Sequence, residues 1–421
     1  MSAKLTNLLR SRVRFSLADG ATELMDPPLY PFGSDSLPIL CDSLVEEPRP
    51  HEAYESGFRS LVFEQQGSWL KAKGVGIAHG GSRPILRGGD ILTYFLNEVD
   101  IGGGRLIWGF STIEEARREL EMTREARNLG CPAPTPVGLG VYREVRVIDF
   151  KDRSELFQAL ASTSRQELLE RFAAARRVEA ACVFLSQSTD VRVDEILYGF
   201  LHPGLNRLLD AREARDFLRW LGSNCGRSLR AHHDSGLLHG TTPKGGGYMT
   251  NAHSANHLVD EDGTYTTDYQ MAQRRGDKEL RNMEAFFLAS LMNPLPGASE
   301  AAASYFGQPK PLVYSLTADG ASPFFGDRFF QPSGQLEEYA EAFVDGVAHG
   351  YRKREALHLE REKRREALLV AAACKKELFH QLDLPPSMQR GVEQVRRRVA
   401  ALKLTAVDVK ASTARVEADL A

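Results

Sequence analysis

An amide and a carboxylate bracket a short turn-bearing segment in the middle of the chain. In NAHSANHLVDEDGTYTTDYQMA, Asn256 precedes the apolar run HLV, DEDG supplies a turn, and Asp268 follows the returning TYTT run. Hard oxygen donors at the two ends of a hairpin suit Mg²⁺ on a polyphosphate, gripping it from both sides. Upstream, Lys73 in WLKAKGVG lies on an expected strand, with Lys71 as the fallback. Gly74 follows it, where a missing side chain lets backbone approach a ligand closely. Glu119, on the helix expected over TIEEARRELEMTREARNLG, is a carboxylate suited to hold such a lysine against phosphates.

These pieces resemble known patterns. NAHSANHLVDEDG resembles the DLHPGNILVDEDG pattern of aminoglycoside-phosphotransferase-like and other kinase-like enzymes, with TDY standing where the Asp-Phe-Gly motif falls. KGVG, the later Arg/Gly-rich turns, the R-R-E on the helix and LGCP are similar to the KGAG, SRxGDGR, IRE and LGIP succession of the selenoprotein O family of protein AMPylases. That family is kinase-like but holds ATP reversed and transfers AMP to Ser, Thr or Tyr hydroxyls. The resemblance, over roughly residues 65 to 270, implies ATP with Mg²⁺ or Mn²⁺ as cofactors. It implies Lys73 as the phosphate-binding lysine, Glu119 as its partner, Asn256 and Asp268 as metal ligands, and Arg83, Arg105 and Arg192 as phosphate contacts.

The sequence departs from these patterns at telling places. Asn251 stands where a catalytic Asp is expected, and an amide cannot accept a proton. Ala255 replaces the Asp that the AMPylase family carries before its metal-binding Asn, TTPKGGGYMT separates His239-Gly240 from the rest of the loop, and a long insertion lies between Lys73 and Glu119. Either another group takes the proton, with Asp234, His239 and His253 as the substitutes, or the transition state needs no strong base, or the chain is a pseudokinase binding nucleotide or a partner. A different reading comes from the histidines. Five of the 11 lie between His232 and His257, and a metal-dependent hydrolase would use His232, His233, Asp234 and His239. HHD, however, lacks the i,i+4 spacing that aims two imidazoles at one ion.

The elements that must position these residues follow from pattern and composition. With 42% hydrophobic and 26% charged residues among 421, the chain has apolar material for a large core. A net charge of -3 argues against nucleic acid as a partner. Five scattered cysteines, without a CxxC pair, fit a reducing compartment, and without a 20-residue apolar stretch or a leader pattern a cytoplasmic protein off the membrane is expected. The acceptor is an unidentified protein or small molecule.

The expected fold is α+β, a two-lobed kinase-like domain with a helical C-terminal extension. Residues 1 to 55 read as a lead-in, rich from residue 22 in Pro, Asp, Glu and Ser. A sheet-rich N-lobe is expected over 56 to 194, where SLVF, WLKAKGVGIA, RPILRGGD, GRLIWGF, PVGLGVY and VRVIDF read as strands and hairpins. One helix interrupts it, capped by Ser111 with Glu114 and stopped by Gly130 and Pro132. EAACVFLSQSTDVRVDEI reads as strand, turn and return. A helical C-lobe is expected over 195 to 334, and one or two helices over Gln335 to Leu382 with another from Met388, in an extension (335 to 421) open to a partner. The mixed-charge run YRKREALHLEREKRREA fits a solvated face better than a coiled coil.

Overall fold

The computed structural model describes residues 2–10, 12–15, 21–25, 51–56, 60–65, 68–74, 105–106, 111–149, 176–244, 247–274, 277–307 and 334–381. The architecture is mixed α+β. Two compact units are drawn from the spans Arg10–Arg117, Pro136–Ser186 and Phe379–Ala421, and from Met1–Leu9, Arg118–Thr135 and Gln187–Leu378.

The first unit is built on a sheet. Its strands are β1 (Arg12–Phe15), β2 (Ala21–Met25), β3 (His51–Glu55), β4 (Ser60–Gln65), β5 (Ser68–Lys73), β6 (Arg105–Leu106), β7 (Ser111–Thr112), β8 (Thr135–Asp149) and β9 (Arg176–Gln187). They run in the order β1-β3-β4-β5-β9-β8-β2, with β6 on β8 and β7 on β9. The first 55 residues are therefore more than a lead-in. Val13 pairs with Ala53 and Met25 with Leu139, so strands from this stretch add to the sheet, while the Pro-rich residues 26–50 lie outside the described ones. PVGLGVY and the VRVID part of VRVIDF, expected as separate strands, belong to the single strand β8. RPILRGGD is outside the described residues. Leu61, Val62, Leu70, Val183 and Phe184 are buried, and Tyr54 meets Trp69 edge-on at 5.7 Å. Each large apolar side chain removed from water in this way contributes about 1.5–3 kcal/mol.

The second unit is largely helical: α1 (Ser2–Leu9), the Arg118–Asn128 part of α2 (Ile113–Asn128), α3 (Val193–Gly199), α4 (Ala211–Asp234), α5 (Lys278–Ser290), α6 (Ala298–Phe306), α7 (Gly334–Lys353) and the Arg361–Leu378 part of α8 (Arg361–Gln381). Between α4 and α5 lie the short strands β10 (Leu237–Leu238), β11 (Thr242–Lys244), β12 (Gly247–Met249), β13 (His257–Val259), β14 (Thr264–Thr266) and β15 (Gln273–Arg274). Apolar side chains on one face of α4, among them Phe217, Leu221, Cys225 and Leu229, are buried. Its glycines let α7 lie almost in backbone contact. A Cβ at Gly222 would stand 2.1 Å from the Phe343 carbonyl oxygen, and one at Gly350 would stand 1.9 Å from that of Ser223. The helices α7 and α8, expected in an extension, are thus part of the helical unit up to Leu378: the glycine seam of α7 mates with that of α4, and Gly199 of α3 lies almost in backbone contact with Ala371 of α8. The helix expected from Met388 lies outside the described residues.

Two local expectations are corrected. The capping box of α2 is Thr112 with Glu115, one residue later than expected. Thr112 N–H donates to Glu115 Oε2 (3.0 Å) and Glu115 N–H to Thr112 Oγ1 (3.1 Å), because the helix begins at Ile113. The return strand expected after the turn at residue 190 is instead α3. Glu195 accepts the Arg192 N–H at 3.0 Å and starts the helix, leaving only a single bridge, Arg192 to Leu258. Gly130 does end α2, at φ 78°. Among the described residues no helix is long and apolar enough to cross a membrane.

Candidate functional site

The helical unit draws three of the sequence's candidates together. α4 ends with Ser235 as its cap, Gly236 turns the chain at φ 75°, and β10 leads to His239 and Gly240. The hairpin β11–β12 then projects, and Thr241 Oγ1 to Thr250 Oγ1 (2.7 Å) closes its base. A 3-10 turn, Ser254–Asn256, leads into β13, the turn Asp260–Gly263 reverses the chain, and β14 brings it back to Asp268. The reversal is tight because Asp260 Oδ1 accepts the N–H of Asp262 (2.8 Å) and of Gly263 (3.1 Å).

The two ends of that hairpin meet at Asn251. Its Nδ2 donates to the Asp268 main-chain oxygen (3.3 Å) and to Asp268 Oδ1 (3.4 Å), while its own carbonyl accepts Asn256 Nδ2 at 3.0 Å. Thr267 N–H donates to the Asn256 carbonyl at 2.9 Å. With the Nδ2 end of Asn256 engaged by Asn251 and by His253 Nε2 (3.3 Å), its Oδ1 is the end that can face a cation. Oδ1 and the Asp268 carboxylate are both hard oxygen donors, so this donor set fits Mg²⁺ or Mn²⁺. Asp268 has φ 65°, in the left-handed region that Asp tolerates better than most side chains. Sparsely populated backbone of this kind needs a surrounding that over-determines it.

That surrounding is a buried polar frame. Glu284, fully buried on α5, accepts the main-chain N–H of His239 (3.0 Å), Gly240 (2.9 Å) and Thr241 (2.9 Å), and its Oε2 accepts His233 Nε2–H at 2.8 Å. Burial alone would push this carboxyl up, but the His233 hydrogen bond and the surrounding donors outweigh it and hold the group down at about 2. His239 Nε2–H donates to the Thr267 carbonyl at 2.8 Å, fixing the backbone that enters Asp268. Burial pushes the His239 pKa down, so the ring is a neutral donor. From α2, Arg118 donates to the carbonyls of Gln270 (2.9 Å) and Ala272 (2.8 Å), and Glu125 pairs with Arg274. The segment after Asp268 is thereby tied to the helix that carries Glu119.

Glu119 is buried on α2. Arg192 Nη1 donates to the carbonyl of Ala255, beside Asn256, at 2.5 Å. Lys73 and Gly74 belong to the sheet unit. Lys73 closes β5 opposite Ser60 and is only 5% exposed, and Lys71, two residues back on the same face, is 2% exposed, so both lysines are buried. Gly74, at φ 90°, has no room for a side chain: a Cβ would stand 2.8 Å from the Ala181 carbonyl oxygen and from Ser111 Oγ. Arg105 pairs with Asp149 in the backbone register of β6 on β8, and Arg83 lies outside the described residues.

The histidines expected for a metal hydrolase are engaged otherwise. His232 Nδ1–H donates to the Ser228 carbonyl (2.7 Å) and Nε2 accepts the Tyr269 hydroxyl (2.6 Å); burial holds this ring neutral, with its pKa lowered to about 3. His233 uses Nδ1 with the Tyr351 hydroxyl (2.7 Å) and Nε2 with Glu284, so neither ring has a nitrogen left for a metal. Asp234 pairs with Arg230 (2.8 Å) and Arg354 (3.0 Å). Among the described residues no group of three or more His, Cys, Asp or Glu is arranged to hold a metal ion. Of the substitutes for a proton acceptor, His253 stands against Asn256, whereas His239 is enclosed and Asp234 is ion-paired.

Sequence reasoning missed Glu284 and Arg118. The signal for Glu284 was present: a lone acid within the apolar run of NMEAFFLAS is buried only if several donors surround it. The chain matches no family model, no curated protein and no solved structure.

Proposed function

We propose that this chain is a kinase-like transferase with a two-lobed fold, which binds ATP together with Mg²⁺ or Mn²⁺ and moves a phosphoryl or adenylyl group to a hydroxyl-type acceptor. The observation that carries the reading is the convergence of Asn256 and Asp268 on Asn251, at 3.0 Å and 3.3 Å. Three polar residues, Asn256 and Asp268 standing 5 and 17 positions after Asn251, are pinned to one another in a loop whose backbone is fixed by a buried carboxylate.

Asn256 Oδ1 and the Asp268 carboxylate are the donors for the cation. Bound there, Mg²⁺ or Mn²⁺ would offset negative charge on the phosphates. Asn251 holds Asp268 in its left-handed conformation by donating to its main-chain oxygen and to its Oδ1. His239 fixes the Thr267 backbone next to Asp268, and Glu284 fixes the backbone of residues 239–241 at the start of the loop, so the donors need little reorganisation on binding. Lys73, buried at the end of its strand, is the cation assigned to the phosphates. In-line transfer in such a site rests on positioning and charge neutralisation more than on proton abstraction. That suits a loop whose base position is an amide.

A specific observation favours a second reading, a pseudokinase: the Asn251 amide is committed to Asp268 and cannot take a proton. The test is a thermal shift with ATP and Mg²⁺, with ATP and EDTA, and with Asp268→Ala in place of the wild type. Stabilisation that needs both ATP and metal and vanishes in Asp268→Ala supports the assigned site. Equal stabilisation of the two proteins removes Asp268 from it, and turnover then separates transferase from pseudokinase.

A further inference from the structure

We infer that Lys375, on α8, is a positioning residue for the metal-binding Asn256, acting through Glu195 and Arg192; this rests on the reading of Asn256 and Asp268 as metal ligands.

The relay can be followed atom by atom. Lys375 Nζ lies 3.1 Å from Glu195 Oε1, and the two side chains are 4% and 2% exposed. Glu195 Oε2 accepts the Arg192 N–H at 3.0 Å, which fixes the first turn of α3. Arg192 then reaches across to the Ala255 carbonyl at 2.5 Å, and its backbone forms a bridge with Leu258. Asn256 lies between those two contacts. α8 is seated firmly enough to act as the anchor, because Gly199 brings α3 so near that a Cβ there would stand 2.0 Å from the Ala371 carbonyl oxygen.

A buried ion pair recovers its desolvation cost only partly, so stability alone is a poor account of Lys375. Its geometric consequence is specific: it fixes the carboxylate that orients Arg192. A second link from α8 reaches the other end of the same hairpin, with Arg361 and Arg365 at 3.1 Å and 3.4 Å from Glu261. Those arginines are half exposed, where such pairs are worth little. The buried arm is the one that sets position.

The test is Mn²⁺ binding by the full chain in the presence of ATP, followed by electron paramagnetic resonance at a temperature well below melting. Residues that orient metal ligands typically change metal affinity by 10-fold or more, so Lys375→Met is expected to weaken Mn²⁺ binding about tenfold. Leu368→Ala removes a buried α8 side chain but spares the relay, and is expected to lower the melting temperature while leaving Mn²⁺ affinity unchanged. Wild-type affinity in Lys375→Met, or an equal loss in Leu368→Ala, overturns the inference. If Lys375→Met does not fold, the double variant Lys375→Met, Glu195→Gln removes both charges of the Lys375–Glu195 pair together and must show the same loss. Asp268→Ala separates the two levels: if it binds Mn²⁺ as the wild type does, the metal site itself is misassigned, whatever Lys375 does.

Discussion

Asn251 turns its side-chain amide onto Asp268, 3.3 Å from the main-chain oxygen and 3.4 Å from the carboxylate. An N–H donor at this place compensates the Asp268 charge and supports its positive φ. Asn251→Asp would replace that donor with a second carboxylate and oppose like charges. Without metal the variant is expected to lose about 1–2 kcal/mol of stability, and Mg²⁺ with ATP should recover more of it than in the wild type. Thermal melts in EDTA and in Mg²⁺ with ATP measure this; a variant as stable as the wild type in EDTA would show that the amide has no such role.

Glu284 is the anchor of the loop, and its removal should be costly. Glu284→Gln leaves an amide facing three N–H groups and His233, so a loss of about 3 kcal/mol is expected at neutral pH. The pH dependence has a defined sign. A carboxyl held at about 2 in the folded chain, against an ordinary 4.5, contributes stability that is fully present above 4.5 and is lost as pH falls toward 2. The stability gap between wild type and Glu284→Gln should therefore narrow over that window. Urea unfolding at stepped pH reads it, and a gap that stays constant down to pH 2 would refute the assignment.

The seam between α4 and α7 leaves no room for one methyl group. Gly350→Ala would place a Cβ 1.9 Å from a backbone oxygen that cannot move aside, and a cost of about 3 kcal/mol is expected. Gly334→Ala, where a Cβ meets open space, should stay within about 0.5 kcal/mol of wild type. Urea midpoints of the two variants provide the comparison; similar midpoints would mean that the helices are not in backbone contact.

What was legible in the sequence was local. Gly236, Gly240 and the DEDG turn fix their own backbone, so the course from α4 through the hairpin to Asp268 could be read directly. The capping box slipped by one residue because Ser111 with Glu114 and Thr112 with Glu115 spell the same motif, and only the pairing of β7 with β9 selects the second. VDEILYG reads equally as strand or helix; Glu195, which accepts the backbone N–H of the N-cap residue Arg192, decides it, and the partner that orients this acid, Lys375, lies 180 residues away. The glycines at 222, 226, 346 and 350 were spaced for close helix packing, yet nothing in either helix alone announces its mate. The apolar run around Glu284 signals its burial but not its partners, and Arg118 acts on backbone carbonyls of residues more than 150 positions away, which no side-chain motif records.

The most direct test of the account is incubation of the protein with Mg²⁺ or Mn²⁺ and ATP labelled in parallel on the α- or the γ-phosphate, in wild type and Asp268→Ala. The account predicts metal-dependent transfer of label to an acceptor by the wild type and its loss in Asp268→Ala, with α-label marking adenylyl and γ-label phosphoryl transfer. Label transfer that persists undiminished in Asp268→Ala, or an absence of both transfer and metal-dependent ATP binding in the wild type, would contradict it.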